Sequence, residues 1–173
     1  MWLLINDTLN NEHFLIQAGR SLCICQKFET TCKDILMLLS SAKSIKDKRF
    51  SLLDEDYIKN LRALLSLQLG KSIEKYQNDF SKFVNKKEIE TLSKGKDSRN
   101  FICHDLMKDL IAASFSDRPK SICNMGKFKE HVKNIAKADY LVSKWSYEFQ
   151  EQISGDFFDP EIYVNRLVNW VLN

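Results

Sequence analysis

The sequence predicts an all-α fold, an up-and-down bundle of four to five helices that forms a single domain over residues 1–173. The chain has only five glycines and two prolines, which favours long helices over a turn-rich β fold. Apolar residues recur in steps of three and four along most of its length, and no stretch alternates as a half-buried strand does. With 44% hydrophobic and 28% charged residues, the chain can also bury a substantial core.

The first helix is predicted to begin near Asn10 and to end near Lys43. Its main apolar stripe, interrupted only by Glu29, is Leu15, Ala18, Leu22, Cys25, Cys32, Leu36 and Leu39. A second apolar edge consists of Phe14, Ile24, Phe28, Ile35 and Leu38. Two apolar edges predict a helix that contacts two neighbours along its length.

Residues 54–84 are predicted to form either one bent helix or two helices hinged near Gly70. Ser51 or Asp54 can cap the start. A glycine inside a helix costs about 1 kcal/mol relative to alanine, so a kink or a close contact is expected at Gly70. The helical stripe on either side of it is Tyr57 or Ile58, then Leu61, Leu65, Leu69, Ile73, Tyr76, Phe80 and Phe83.

The stretch from Asn85 to Lys96 is strongly charged, with four lysines and two glutamates. It is interpreted as a solvated segment, or as a basic rim that attracts phosphates. The next helix is predicted to start at Asp97, a residue type that often caps helices, and to end near Phe115.

The last third of the chain is predicted to hold a loop and two helices. Ser116–Gly126 has the proline and glycine content of a loop, and a long helix is expected from about Phe128 to Ile153. The final helix is predicted to start at Asp159, with Pro160 at its first position.

Composition narrows the function classes. The formal net charge of +3 permits a local basic patch but does not by itself predict a nucleic-acid partner. The five cysteines include no Cys-x-x-Cys pair and are interpreted as reduced, so no metal or cofactor is predicted. No apolar run has the length of a membrane span, and the N-terminus lacks the basic start of a signal peptide. The expected location is the cytoplasm, with no membrane partner.

Three residues near the middle of the chain suit phosphate chemistry. Arg99 can hold a phosphate through paired hydrogen bonds and stabilise charge in a transition state. His104 can exchange a proton near neutral pH, and Asn100 can orient the histidine or bind a sugar. If the helix starts at Asp97, exposed backbone N–H groups there also favour an anion. The candidate RNA-binding residues around this motif are Lys94, Lys96 and Ser98.

The spacing of the motif has a geometric consequence. In an α-helix Asn100 and His104 share a face, whereas Arg99 lies about 140° from His104. A site that uses both needs a frayed first turn or a second copy of the chain, and a homodimer would supply one histidine as base and another as acid. His13 and His131 have no arginine or acidic partner in helical register and are interpreted as ordinary residues.

The stretch Arg99-Asn100-Phe101-Ile102-Cys103-His104 resembles the Arg-polar-x-x-x-His motif of HEPN domains (higher eukaryotes and prokaryotes nucleotide-binding). These are all-helical bundles, and many are metal-independent RNases of toxin–antitoxin, abortive-infection and CRISPR systems whose motifs pair across a dimer. The resemblance implies that Arg99 and His104 are catalytic, that Asn100 supports them, and that RNA is the substrate. Toxins paired with a nucleotidyltransferase antitoxin often have a tyrosine two residues after the histidine, and this chain has Leu106 there.

Three functions are therefore weighed. The first is an endoribonuclease that attacks RNA through its own 2′-hydroxyl, serving as a toxin or phage-defence effector with an antitoxin protein as a candidate partner. The second is a non-catalytic helical interaction or immunity protein, in which the motif only closes a dimer interface. The third is a nucleotide-binding regulatory bundle, which a ligand would stabilise against heat.

Overall fold

The computed structural model of the protein describes residues 8–46, 54–106, 125–151 and 158–173, and all regular structure within these ranges is helical. The α-helices of this part of the chain are α1 (Thr8–Lys46), α2 (Glu55–Leu65), α3 (Leu69–Asp79), α4 (Lys86–Asn100), α5 (Met125–Glu151) and α6 (Pro160–Leu172). A π-helical turn, Phe101–Asp105, continues α4. The predicted all-α class is confirmed, and the described α-helices number six instead of four to five.

Two predicted helix starts and one predicted hinge explain part of this pattern. Asp54 caps α2, because its carboxylate accepts a hydrogen bond from the Asp56 N–H at 3.0 Å. The break between α2 and α3 lies at residues 66–68, just before Gly70, so the hinged pair is observed and not the single bent helix. Asp159 caps α6, with Pro160 in its first turn.

Helices α1, α4, α5 and α6 form a bundle whose successive members run in opposite directions, while α2 and α3 pack near the C-terminal part of α1. Helices α1 and α5 run parallel, α4 runs antiparallel to α5, and α6 runs antiparallel to α1. The direction of α1 relative to α5 follows from the contacts Phe14–Phe128 and Lys27–Asp139. The contacts Ser98–His131 and Gly95–Ala138 give that of α4 relative to α5. The contacts Gln17–Leu172 and Lys27–Tyr163 give that of α6 relative to α1.

The core-facing side of α1 differs from the predicted main stripe. Leu15 and Leu22 of that stripe are exposed, as is Leu38 of the second edge. The buried apolar residues of α1 are Ala18, Ile24, Cys25, Phe28, Cys32, Ile35, Leu36 and Leu39. Helix α1 has more apolar residues than one face can hold, so periodicity alone could not decide which of them its neighbours cover.

The prediction that a helix starts at Asp97 is wrong, because Asn85–Lys96, interpreted as a solvated segment or a basic rim, already belongs to that helix and buries Leu92 and Gly95. Asn85 and Glu88 form a reciprocal capping box, with the Glu88 N–H donating to Asn85 Oδ1 at 3.0 Å and the Asn85 N–H donating to Glu88 Oε2 at 2.8 Å. The helix that starts there continues through Asp97 because Leu92 is buried in the core. The motif therefore lies at the C-terminal end of α4, away from the unpaired N–H groups of a helix start.

Several predicted features fall outside the described residues, among them Ser51, Cys123 and the end of the helix predicted to reach Phe115. The loop predicted over Ser116–Gly126 also lies largely outside them, and its last two residues, Met125 and Gly126, instead begin α5. None of the helices in the described ranges combines the length and the apolarity that a membrane crossing requires.

Gly95 lies where α4 comes closest to α1 and α5. A β-carbon at this position would collide with Ala138 Cβ and would lie 3.2 Å from the Phe28 ring. The glycine is buried in the middle of a helix, where its conformational freedom is a disadvantage. Its lack of a side chain therefore serves the close approach of three helices.

We expect Gly95→Ala to lower the free energy of unfolding by about 1–3 kcal/mol, because overpacking at this contact outweighs the gain in helix propensity. Gly19→Ala is the matched control, since Gly19 is also within a helix but has nothing within 4 Å of the added β-carbon. That variant should gain about 0.5–1 kcal/mol. Urea unfolding of both variants checks this, and equal stabilisation by the two substitutions would contradict the packing role.

Candidate functional site

The site is built around an ion pair between Arg99 on α4 and Glu29 on α1. Arg99 Nη2 donates to Glu29 Oε2 at 2.7 Å, and Arg99 Nη1 donates to Asn100 Oδ1 at 3.2 Å. The Arg99 Nε is buried and has no hydrogen-bond partner among the described residues. The guanidinium is thus oriented by α1 and by its own neighbour while several of its five donors remain unused.

Positive charge exceeds negative charge in this cluster. Lys33 Nζ also contacts Glu29, at 2.9 Å, so two cations share one carboxylate. Burial opposes the charge of Glu29, but Lys33 and Arg99 outweigh it and hold the pKa of the carboxyl below its ordinary value. Glu29 is therefore ionised at neutral pH and compensates only one of the two cations, which leaves this three-residue cluster with one positive charge in excess.

The π-turn changes the geometry that the spacing predicts. The Leu106 N–H bonds to the Phe101 carbonyl, five residues back instead of four. The wider turn begins at Phe101, between Arg99 and His104, so the angle between these two residues about the helix axis is smaller than in a uniform α-helix. His104 and Asn100 are exposed. π-Turns within α-helices often occur at functional sites.

The other flank of the motif faces α5. Ser98 is buried and its hydroxyl lies 3.0 Å from His131 Nδ1, so it does not join the exposed surface as an RNA-binding residue. Phe101 stacks on the same histidine, with ring centroids 4.1 Å apart and planes inclined by 19°. His131, interpreted from the sequence as ordinary, therefore lies directly beside the motif.

The two predicted basic residues before the motif differ in their surroundings. Lys94 is exposed, whereas Lys96 is half-buried and its ammonium lies 3.2 Å from the Asp97 carboxylate. Lys94 can meet a phosphate directly, and Lys96 would have to share its charge with Asp97.

Two cysteines near the site, Cys25 and Cys32, are not activated. Burial and the neighbouring Cys103 thiol keep the pKa of Cys25 well above its ordinary value, and burial raises the pKa of Cys32 to about 12. Both thiols stay protonated at neutral pH and cannot act as thiolate nucleophiles. Among the described residues, no group of three or more His, Cys, Asp or Glu side chains could hold a metal ion.

A second polar cluster joins α1, α5 and α6. The Asp139 carboxylate is fully buried and accepts hydrogen bonds from Lys27 Nζ at 2.7 Å and from Tyr163 Oη at 2.5 Å. Lys27 also donates to Ser143 Oγ at 2.8 Å. Burial works against the charge of Lys27, yet Asp139 raises its pKa, so this lysine cannot act as a general base for the serine. The cluster therefore joins three helices and is no catalytic dyad.

An open cleft of about 470 Å³ lies between α1, α2 and α3. It is lined by hydroxyl, cationic and aromatic side chains that include Ser40, Lys43, Tyr57, Lys75 and Phe80. This cleft is where the third function, nucleotide binding, would place its ligand.

The sequence contained partial signals for Glu29 and Asp139, two residues that were not predicted to take part in these clusters. Glu29 was the one charged position in the apolar stripe of α1, and Asp139 occupies a stripe position between Ile135 and Val142. A charged residue on a core-facing stripe predicts a buried partner. Nothing local distinguished His131, because its partners lie on another helix.

Comparisons of the chain with protein-family models, with curated proteins and with solved structures found no match. The assignment of a function therefore depends on the geometry of the site.

We expect Glu29→Gln to lower the free energy of unfolding by about 1 kcal/mol at pH 7, because Arg99 and Lys33 lose their shared anion. A depressed pKa means that the ionised carboxyl stabilises the fold above its ordinary value of 4.5 and loses this effect as pH falls below it. The difference between variant and wild type should therefore shrink between pH 7 and pH 3.5 in urea unfolding.

Glu90→Gln is the control, since Glu90 is exposed on α4. It should change stability by less than about 0.5 kcal/mol at either pH. A Glu29→Gln effect that stays constant over this range would mean that the carboxylate charge is not what holds Arg99.

Proposed function

We propose that this chain is a metal-independent endoribonuclease that cuts RNA by attack of an internal 2′-hydroxyl on the adjacent phosphate. The observation that carries the proposal is the arrangement of Arg99, Asn100 and His104 around a π-turn, with Arg99 oriented by Glu29 and with His104 exposed. The nucleophile belongs to the substrate, so the protein has to bind the phosphate and move protons.

The surface around Glu29 supports the phosphate-binding step. Arg99 and Lys33 together carry one more positive charge than Glu29 can compensate. Arg99 would give the remaining N–H groups of Nη1 and Nη2 to the non-bridging oxygens, and its charge would stabilise the phosphorane-like transition state. Asn100, held by Arg99, would bind the sugar or steer the histidine.

Proton transfer would be the task of His104. As a base it takes the proton from the 2′-hydroxyl, and as an acid it gives one to the departing 5′-oxygen. The products are a 2′,3′-cyclic phosphate and a 5′-hydroxyl end. One imidazole cannot easily reach both oxygens, which lie on opposite sides of the phosphorus, so a homodimer that pairs two motifs is part of the proposal.

We expect the purified protein to cut labelled single-stranded RNA in the presence of EDTA. His104→Ala should reduce the rate by about 10²–10⁴-fold, and Arg99→Lys by about 10²-fold or more, because lysine cannot form the paired hydrogen bonds. His13→Ala is the matched control, since His13 is an exposed histidine of α1, and this variant should keep wild-type activity. Analysis of the RNA ends should find cyclic phosphates.

The same variants can be expressed in cells to test the role as a toxin or defence effector, with or without an antitoxin partner. Growth arrest and new cellular RNA ends that depend on His104 would agree with the proposal. Complete absence of cleavage by folded wild-type protein would contradict it.

The homodimer gives a separate prediction. Specific activity should fall when the enzyme is diluted below the dimer dissociation constant, because each site needs two chains. An excess of His104→Ala should also suppress wild-type activity by forming mixed dimers. Size-exclusion chromatography with light scattering, run beside the rate measurements, checks both. Full activity of a monomer at nanomolar concentration would exclude the paired site.

One observation favours the non-catalytic interaction or immunity protein as the second candidate. Arg99 is already paired with Glu29, which is what a purely structural arginine would show. That function predicts a stable complex with a partner, no cleavage by the pure protein, and no effect of His104→Ala in cells. A nucleotide-binding regulator would instead show thermal stabilisation by nucleotides, lost on substitution of Lys43 in the cleft.

A further inference from the structure

An aromatic pair lies on the α5 side of the motif. The ring of Phe101 stacks on the imidazole of His131 at 4.1 Å, and Lys127 Nζ lies over the Phe101 ring, 4.8 Å from its centroid. Both rings are partly exposed, and Lys127 is exposed. Proteins that bind single-stranded nucleic acids stack bases on aromatic side chains that lie next to cationic residues at the surface.

This pair and Arg99 lie on opposite flanks of one exposed surface. Arg99 and Phe101 are two positions apart, about 200° around a helix, and their contacts confirm the separation, since Arg99 reaches Glu29 of α1 and Phe101 reaches His131 of α5. The exposed side chains of Asn100 and His104 lie between the two flanks. A strand crossing this surface would meet the arginine on one side and the aromatic pair on the other.

The aromatic pair is held in place before any ligand arrives. His131 Nδ1 lies 3.0 Å from the buried Ser98 hydroxyl, which fixes the orientation of the imidazole. Burial and the nearby Lys127 lower the pKa of His131, so the ring is neutral at pH 7. A neutral ring fixed by a hydrogen bond stacks without losing hydration of a charge and loses little entropy on binding.

We propose that Phe101 and His131 form a base-stacking subsite for single-stranded RNA, in which a base takes the place of Lys127 over the Phe101 ring and the lysine contacts the backbone of the same nucleotide instead. Its position beside a scissile phosphate depends on the proposed function, whereas stacking itself requires no cleavage. Stacking tolerates any base, so the subsite would position the strand and would not read its sequence. It would hold the nucleotide next to the phosphate that Arg99 binds.

The test uses a single-stranded RNA of about ten nucleotides that is 2′-O-methylated throughout, so that it cannot be cut, and that carries 2-aminopurine as a fluorescent base. Wild-type protein should quench the fluorescence on binding, because the base stacks on an aromatic ring. Phe101→Leu should lose most of the quenching and weaken binding by about tenfold, the effect of removing one stacked base. Phe83→Leu is the control, since Phe83 is an exposed phenylalanine in another aromatic cluster, where it lies against Trp145.

A second measurement needs no variant. Photocrosslinking of wild-type protein to RNA that contains 5-iodouridine, followed by mass spectrometry, should place the adduct on Phe101 or His131. Adducts found only elsewhere would overturn the subsite, as would wild-type quenching and affinity in folded Phe101→Leu. His131→Gln keeps a partner for Ser98 but removes the ring, and it should weaken binding and quenching in the same direction.

The outcomes separate this inference from the proposed function. Quenching that depends on Phe101, without cleavage of ordinary RNA, would support the stacking subsite and reject the nuclease. Cleavage that depends on His104, with quenching and affinity unaffected by Phe101→Leu, would support the nuclease and reject the stacking subsite.

Discussion

The site depends on the close packing of helices that a glycine allows at position 95. Gly95 allows α4 to lie against Ala138 of α5 and against Phe28 of α1 at the same time. One turn further along α4, this approach brings Arg99 to Glu29 on one flank and Ser98 to His131 on the other. The two helix contacts made at this one residue thus determine the spacing of both flanks of the motif, because packed interiors leave little room for a helix to shift.

Charge then determines what the motif can do. Glu29 holds Arg99 in a defined orientation, but it also compensates part of the charge that a phosphate would use. Lys33 adds a second positive charge beside Glu29, so the cluster keeps a net positive charge that favours an anion. The proposed reaction needs both properties: an arginine that is ordered before the substrate binds, and a net charge that attracts the RNA backbone.

Local signals predicted some elements well and others poorly. Asp54, Asp159 and Pro160 predicted two helix starts correctly, because capping depends on atoms within one turn. The same reasoning failed at Asp97, where a good capping residue lies inside a helix that Asn85 had already started. A cap residue marks a start only if the preceding residues are not helical. Here the preceding residues are helical, and they bury Leu92 and Gly95 in the core.

The sequence by itself determined the helical class, the two caps, and the presence of an arginine, an asparagine and a histidine within six residues of one another. These depend on composition and on relations within a few residues. Tertiary structure alone decided that Arg99 meets a glutamate 70 positions away, that Ser98 meets a histidine 33 positions away, and that the turn after Asn100 is π-helical. Such contacts depend on which faces of several helices pack together, and a helix such as α1, with apolar residues on most of its circumference, does not specify that choice locally.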